Sequence, residues 1–450
     1  MAVVDLGYGD AGKGTIVAAI CASEPVTAVI RCNGGAQAAH NVVTAGGRHH
    51  TFAQFGSGTL QGVPTHLPRF VVVDPLALAA EAADLGNPFD LLTVDGDALL
   101  ATPWHRAANQ ARERQRGGAR HGSCGMGIGE TMAYALSNPD APRVADVLSP
   151  SRLRTRLAAV RDNLGPLDAP PLEDVVEAFA AFGQAVSIVD SSYAGRLLAA
   201  GRCVFEGAQG VLLDEWRGWH PYTTWSTTTF DNVAELCGDF ERLGVVRTYT
   251  TRHGAGPFVT AAPLNLPEHH NGVGEWQGAF RVGHFDAVAH RYAVEVAGGV
   301  DALAVTHLDA PAREPDLRVC TAYEIDGMVW DRIVPGPARD LGYQQSLTAL
   351  LERARPARMH RPDDWAGEIG DRLGAPVLIE SYGPKRTDKR LRTPGSAAVQ
   401  PTSAGWGTPS QERTSVTSSG ERVIAAASAR LSTFSTKAAP TSAAVGEGWR

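Results

Sequence analysis

Several things are scarce in this chain, and each scarcity excludes something. There are six cysteines in 450 residues, and none forms a C-x-x-C pair. Scattered in this way they suit neither a disulfide frame nor a zinc site, and they read as reduced thiols. Positive charge is not in excess: 41 Lys and Arg against 48 Asp and Glu leave a formal net charge of -7. A chain-wide basic field for nucleic acid is therefore excluded, although a local patch is not. No apolar run approaches the length of a membrane span. The N-terminus enters an apolar, strand-like run with no basic stretch before it and no cleavage signal. No internal repeat is visible. These absences predict a soluble cytoplasmic protein with no nucleic-acid and no membrane partner. Hydrophobic content of 44% and charged content of 20% are ordinary for a globular protein, and the length suffices for one large α/β domain or two smaller ones.

What is present alternates. "AVVDL" (2–6), "VTAVIRC" (26–32), "RFVVVD" (69–74), "RCVFEGA" (202–208), "LGVVRTYTT" (243–251), "DALAVTH" (301–307) and "APVLIESYG" (375–383) read as strands. Runs rich in Val and Ile suit strands buried on both faces, hence a mostly parallel sheet flanked by helices. Helices are expected at 14–24, 74–85, 104–117, 174–189 and 285–299. After about Arg392 the composition turns to Ser, Thr, Ala, Gly and Pro. The expected organisation is a folded unit over 1–392 and a low-complexity, disordered tail over 393–450.

"DLGYGDAGKGT" (5–15) carries the chemistry. It lies in the order strand, Gly-rich turn, helix, and Gly7, Gly12 and Lys13 satisfy G-x-x-x-x-G-K. Gly14 follows, and the hydroxyl arrives one place late at Thr15. Backbone N–H groups of such a turn hold phosphate oxygens, and the lysine adds a point charge. A glycine-rich turn without a ligand is the competing reading. Asp10 is the oddity, because a carboxylate among phosphates repels them unless it is a Mg²⁺ ligand or a general base beside the transferred phosphoryl group. Asp5, inside the first strand, has no evident role.

The stretch "GDAGKG" resembles the G-D-E-G-K-G signature of adenylosuccinate synthetases. "RCNGGAQAAHNVV" (31–43) is similar to that family's R-x-x-G-G-x-N-A-G-H-T, and "RQRGGARHGSCGMGIGE" (114–130) to its R-G-x-x-x-I-G-T-T-G-R-G-I-G-P. "FEGAQGVLLD" (205–214) matches F-E-G-A-Q-G-x-L-L-D closely. "HPYTTWSTTT" (220–229), "TRHGAGPFVT" (251–260), "THLDAP" (306–311) and "ESYGPKRT" (380–387) follow in the family's order. The resemblance covers nearly all of the chain before the low-complexity segment. It implies a fold related to phosphate-loop nucleotide hydrolases and a GTP- and Mg²⁺-dependent ligase. Such an enzyme phosphorylates O6 of a 6-oxopurine nucleotide, inosine monophosphate or an analogue, and displaces the phosphate with an amine. A homodimer is the implied assembly.

The resemblance also assigns roles. Asp10 would be the base taking the N1 proton and, with Ala39, would hold Mg²⁺. His40 would donate toward the transferring phosphoryl group. Gln209 would hydrogen-bond the purine. GTP would lie on Gly9, Asp10, Gly12, Lys13, Gly14 and His40, with its guanine paired to Asp309 and walled by Ser381, Gly383 and Pro384. A helix-capping aspartate is the competing reading of Asp309. The purine nucleotide would be held by Gln37, Ser123, Cys124, Gln209, Thr224 and Arg281.

The departures cluster. Met126 stands for an arginine, Cys124 for a threonine, Gln37 for an asparagine and Ala39 for a glycine. The arginine expected to reach a neighbouring subunit falls near Asn138, the nearest arginine being Arg143. An arginine-rich loop has become "EWQGAFRVGHF" (275–285), in which Arg281 alone remains. Guanidinium forks suit carboxylates as Met, Ala or Phe cannot. The phosphoryl-transfer half thus reads as retained and the amine half as rebuilt, with Glu275, Trp276 and Phe280 expected to line a pocket for a less anionic amine. A nucleotide-binding pseudoenzyme and a phosphotransferase or hydrolase without amine ligation are the alternatives. The pairs His49–His50 and His269–His270 are not expected to chelate a metal. The basic run 112–121 reads as a solvated face with one or two phosphate-facing residues.

Overall fold

The computed structural model describes residues 1–268 and 271–392. His269, His270 and the expected tail at 393–450 lie outside these described residues. The central sheet has ten strands. In chain order they are β1 (Ala2–Asp5), β2 (Ala28–Arg31), β3 (Thr65–Leu67), β4 (Leu92–Asp95) and β5 (Ser187–Val189), then β6 (Cys203–Glu206), β7 (Arg242–Arg247), β8 (Ala302–Thr306), β9 (Val377–Ser381) and β10 (Lys389–Leu391). Their spatial order is β10-β9-β8-β7-β1-β6-β2-β3-β4-β5. Every pairing is parallel except that of the edge strand β10 with β9. This is the α/β architecture expected.

Strand β1 shows why the apolar runs are continuous. Ala2, Val4 and Leu6 join an apolar cluster with Val288, Tyr292 and Ala293 of the helix Ala287–Val296. Val3 points the other way, into a cluster with Ile16, Val17 and Ile20 of the helix Lys13–Cys21. With both faces covered, alternation disappears from the sequence. Each fully buried Val or Leu here contributes about 1.5–3 kcal/mol. The helix Lys13–Cys21 is itself buried nearly all round, so it carries no polar stripe.

Three expectations are corrected. "RFVVVD" is not a strand of the central sheet: only Val72–Val73 is extended, and it pairs with Leu99–Leu100 in a separate two-stranded sheet. The sheet strand is the preceding Thr65–Leu67, a short polar-looking stretch between Pro64 and Pro68. "LGVVRTYTT" is two elements, β7 and then Thr250–His253, which pairs antiparallel with Phe280–Gly283. The helix expected to run to 189 ends at Ala185, and its last residues form β5.

Candidate active site

The loops leaving the carboxyl ends of the central strands converge where the chain order reverses about β1, the usual ligand position in an open α/β sheet. They enclose a cavity of about 1250 Å³. Gly9–Gly14 follow β1, Gln37–His40 follow β2, Gln209 follows β6, Asp309 follows β8, and Ser381–Pro384 close β9. Ser123 and Cys124 enter from the loop after the helix Pro103–Arg116, and Thr224 from the segment after β6. Every residue assigned above to the acid–base chemistry, the metal, GTP or the purine nucleotide lines this cavity except Arg281.

The phosphate loop is organised by Asp5. Its carboxylate accepts the N–H groups of Gly7 and Ala11, both at 2.8 Å, and the Lys13 ammonium at 3.2 Å. Lys13 also donates to the Gln209 carbonyl at 2.6 Å, tying the loop after β1 to the loop after β6. The two loops touch backbone to backbone, since a Cβ on Gly210 would lie 2.3 Å from the Gly7 carbonyl oxygen. Gly14 is required too: a Cβ there would lie 2.8 Å from His40 Cβ. That is why the hydroxyl comes one residue late. Thr15 gives it to the Pro384 carbonyl at 2.7 Å, joining the phosphate loop to the β9 wall.

Asp10 sits at φ 62°, a left-handed backbone that aspartate tolerates better than most side chains. Burial raises its carboxyl above the ordinary 3.8, Asp5 adds to that, and Arg247, His253 and Lys13 offset part of it. A raised carboxyl is a better base. His253 Nε2 stands 3.6 Å from Asp10 Oδ2, and Arg247 Nε donates to the Asp10 carbonyl at 2.6 Å. Arg247 is held in turn by Tyr249 and Glu268. Among the described residues no three His, Cys, Asp or Glu groups cluster as a metal cage. Asp10 brings one carboxylate to the cavity, and Ala39 also lines it. They fit Mg²⁺, which takes one or two carboxylates and completes its shell with water and substrate phosphates.

His40 Nδ1 meets Glu206 Oε1 at 2.6 Å. Glu206 is fully buried at the end of β6 and also takes the Ser57 hydroxyl at 2.5 Å and the Ser57 N–H at 2.9 Å. Burial, with Arg31 close by, pulls the His40 imidazole down to about 4 against the pull of Glu206. Burial opposes ionisation of Glu206, but His40, Arg31 and Ser57 overcome it and hold the carboxyl at about 2. The ring is thus neutral with Nδ1–H given to Glu206, and Nε2 is the nitrogen left for a ligand. An arriving phosphate favours protonation there, which turns Nε2 into a donor.

Gln209 is also held at positive φ, 56°, and its amide oxygen takes Asn33 Nδ2 at 3.4 Å. Both side-chain amide atoms of Gln37 are buried without a hydrogen-bond partner among the described residues. Ser123 donates to Asn109 at 2.9 Å, and burial keeps Cys124 a thiol by raising its pKa. In the β9 wall, Lys389 donates to the carbonyls of Gly383 at 2.8 Å and Lys385 at 2.9 Å. Asp309 occupies the N-cap position of Ala310–Arg313 without a side-chain capping bond, and its carboxylate pairs with Arg313 at 2.7 Å.

The placement of Arg281 is a correction. It turns from the cavity, donates to the Gly256 carbonyl at 3.0 Å and lies over the Phe258 ring. Trp276 lies under Arg114 and against Gly125, and Phe280 packs edge-on against His253. Glu275, Trp276 and Phe280 do not line the cavity; the same loop lends it Asn271, Val273 and Gln277 instead. Of the basic run, Arg112, Arg116 and His121 face the cavity. Asp5, Glu206, Arg247 and His253 carry no spacing that announces them. Glu206 was in plain sight in "FEGAQG", but a strand-end acid has no distinguishing pattern.

A phosphate loop after the central strand of a parallel sheet, with a raised carboxyl and a buried His–Glu pair beside it, defines a nucleotide-binding α/β enzyme built for phosphoryl chemistry. Comparison carries this further. The adenylosuccinate synthetase family model matches residues 2–388. The adenylosuccinate synthetase of Synechococcus sp. strain RCC307 is 37% identical over 421 residues, covering 85% of this chain and 94% of that protein. That of Acidithiobacillus ferrooxidans is 33% identical over 428 residues, covering 87% and 98%. The chain belongs to the adenylosuccinate synthetase family and is a ligase that forms carbon–nitrogen bonds. In fold it is similar to the fully ligated adenylosuccinate synthetase of Plasmodium falciparum, with TM-score 0.74 and 20% identity over 87% of this chain and 99% of that one. It is also similar to the succinoaminodeoxyadenylate synthetase of cyanophage S-2L bound to dGMP and dATP as energy donor, with TM-score 0.56 and 21% identity over 96% and 98%.

Proposed function

We propose that the chain is a GTP-dependent ligase that activates O6 of a 6-oxopurine nucleotide, inosine monophosphate or an analogue, and replaces it with an amine. The observation that carries this reading is the meeting of Asp10, His40 and Gln209 in one cavity with the Asp309 and Ser381–Pro384 wall. Asp10 takes the N1 proton, which makes O6 nucleophilic. O6 attacks the γ-phosphorus, and GDP leaves. His40 Nε2 and Lys13 face the charge that develops on the transferring group. The amine then adds at C6, loses a proton, and expels inorganic phosphate. Asp10 and the Ala39 carbonyl would hold Mg²⁺, which supplies charge neutralisation on the phosphates. Gln37, Ser123, Cys124, Gln209 and Thr224 bind the purine nucleotide. A homodimer in the cytoplasm is the family's implied setting.

The amine is the point of difference. Met126 packs into an apolar cluster with Val72 and Ile128, and Arg281 faces away. A dicarboxylate entering this cavity finds Asn271 and Gln277 on the loop where guanidinium forks are expected. A dicarboxylate left imperfectly paired in a partly desolvated site binds poorly. A monocarboxylate amino acid or neutral amine therefore competes with aspartate. The test is a panel of purine monophosphates against amino acids with GTP and Mg²⁺, read by mass spectrometry. An amine adduct with GDP and phosphate supports the reading. GTP turnover without any adduct supports a phosphotransferase or hydrolase, and binding without turnover a pseudoenzyme.

A further inference from the structure

The cavity wall after β8 holds a charged pair that the scheme above leaves unused. Arg313, at the end of the four-residue helix Ala310–Arg313, reaches back to Asp309, Nη2 to Oδ2 at 2.7 Å, with the two side chains 50% and 35% exposed. Both line the cavity. Among the described residues Arg313 makes no other hydrogen bond or ion pair. The cations near it are committed: Lys389 to the Gly383 and Lys385 carbonyls, and Arg247 to Asp10, Tyr249 and Glu268. His307, two residues before Asp309, supplies no positive charge. Burial, with Arg247, Arg313 and Lys389 around it, holds its imidazole well below the ordinary 6.5. Among the described residues Arg313 is thus a fork of N–H donors at this wall bound to nothing but Asp309.

We propose that Arg313 is a specificity-determining residue of the donor-nucleotide site, reading the O6 and N7 acceptors of guanine while Asp309 takes the N1–H and the exocyclic amine. This rests on the reading of Asp309 as the guanine anchor. A carboxylate alone presents only acceptors. Guanine's edge offers donors at N1 and N2 beside acceptors at O6 and N7, and an arginine fork matches the acceptor pair. Held by Asp309 before the nucleotide arrives, the fork is pre-positioned, so fewer rotamers are lost on binding. Adenine presents an amine where guanine has O6. It would place that donor against the guanidinium N–H groups.

Binding of GDP and 7-deaza-GDP, which lacks the N7 acceptor, is measured by calorimetry on the full chain, for wild type, Arg313→Ala, Arg313→Lys and Asp309→Asn. Wild type is expected to prefer GDP by about tenfold, the scale of one lost contact in a bidentate pair. In Arg313→Ala GDP weakens by a similar factor and the preference falls to about one. Arg313→Lys keeps the charge but loses the fork, so it falls between the two. Half-exposed Arg313 is a tolerant site, and a thermal melt checks that each variant is folded. A variant Arg313→Ala that keeps the preference while Asp309→Asn loses GDP overturns the role of Arg313 alone. If Asp309→Asn binds GDP like wild type, the guanine anchor and this inference fail together.

Discussion

Asp10, Gln209 and His307 all line the cavity and all sit at positive φ, 62°, 56° and 56°. Such backbone costs on the order of 1–3 kcal/mol each for a residue with a side chain, and it is sustained by the bonds around it. For Asp10 those are the Asp5 carboxylate on the next residue's N–H and Arg247 on its own carbonyl. Replacing Asp10 with Asn keeps the αL preference and removes the base. Turnover is expected to fall by about 10²-fold or more, while the melting temperature holds or rises. The sign follows from the raised carboxyl: a buried Asp whose folded pKa lies above 3.8 contributes destabilisation that grows as pH rises through that pKa. The acid limb of the wild-type rate profile accordingly lies above pH 3.8. Full turnover in Asp10→Asn, or an unshifted limb, counts against Asp10 as base. Asp10 was legible because a carboxylate is conspicuous in a phosphate loop. Asp5 was not, because an acid inside an apolar strand looks like an accident until the N–H groups it accepts are seen.

At the scale of elements, the segment from Asn271 to Gly283 is where the proposed scheme places the choice of amine. Its hairpin pairing, Arg252 opposite Arg281 and His253 opposite Phe280, turns Arg281 toward Gly256 and Phe258. Arg281→Ala should therefore lower the melting temperature, through a lost hydrogen bond and cation–π contact of about 1 kcal/mol each. The KM for any amino-acid substrate should change less than threefold, read by steady-state kinetics with aspartate and with a monocarboxylate. A tenfold rise for aspartate alone would mean the side chain swings into the cavity on binding. The loop's sequence showed which arginines were missing but not where the survivor points, because orientation depends on strand pairing across distant residues. The same limit explains Thr65–Leu67. Its flanking prolines and polar residues hide a sheet strand, while the more apolar "RFVVVD" lies in a small side sheet. The buried parallel strands β1, β6 and β8 were legible since both their faces are covered and the apolar run is unbroken.

For the molecule as a whole, five shielded histidines weaken the fold in acid, and Asp214 and Asp286, raised by burial to about 6, offset part of that. Burial lowers His40 to about 4, His66 to about 4 and His105 to about 3, lowers His290, and places His307 well below 6.5. Each is neutral when folded and gains a proton more readily when unfolded. Stability is therefore lost progressively as pH falls from 6.5 toward 4. The melting temperature should drop across that window, before most carboxylates titrate, and His66→Gln, which lies outside the cavity, should flatten part of the slope. An unchanged melting temperature between pH 6.5 and pH 4.5 would refute this. The sheet's order, with loops from several strands meeting at one edge, could not be read from local pattern; the ordered motifs stood in for it. The backbone contact between Gly210 and Gly7 has a further bearing. In the proposed scheme one loop carries the acid that deprotonates and the other the glutamine that faces the purine, and the two meet here through glycine backbone alone. The gap between them would then act as a fixed ruler laid along the acceptor. Lineages that take up new substrates can alter the walls around it, but an acceptor whose reacting oxygen sits at a different distance from its ring edge will not fit this ruler at all.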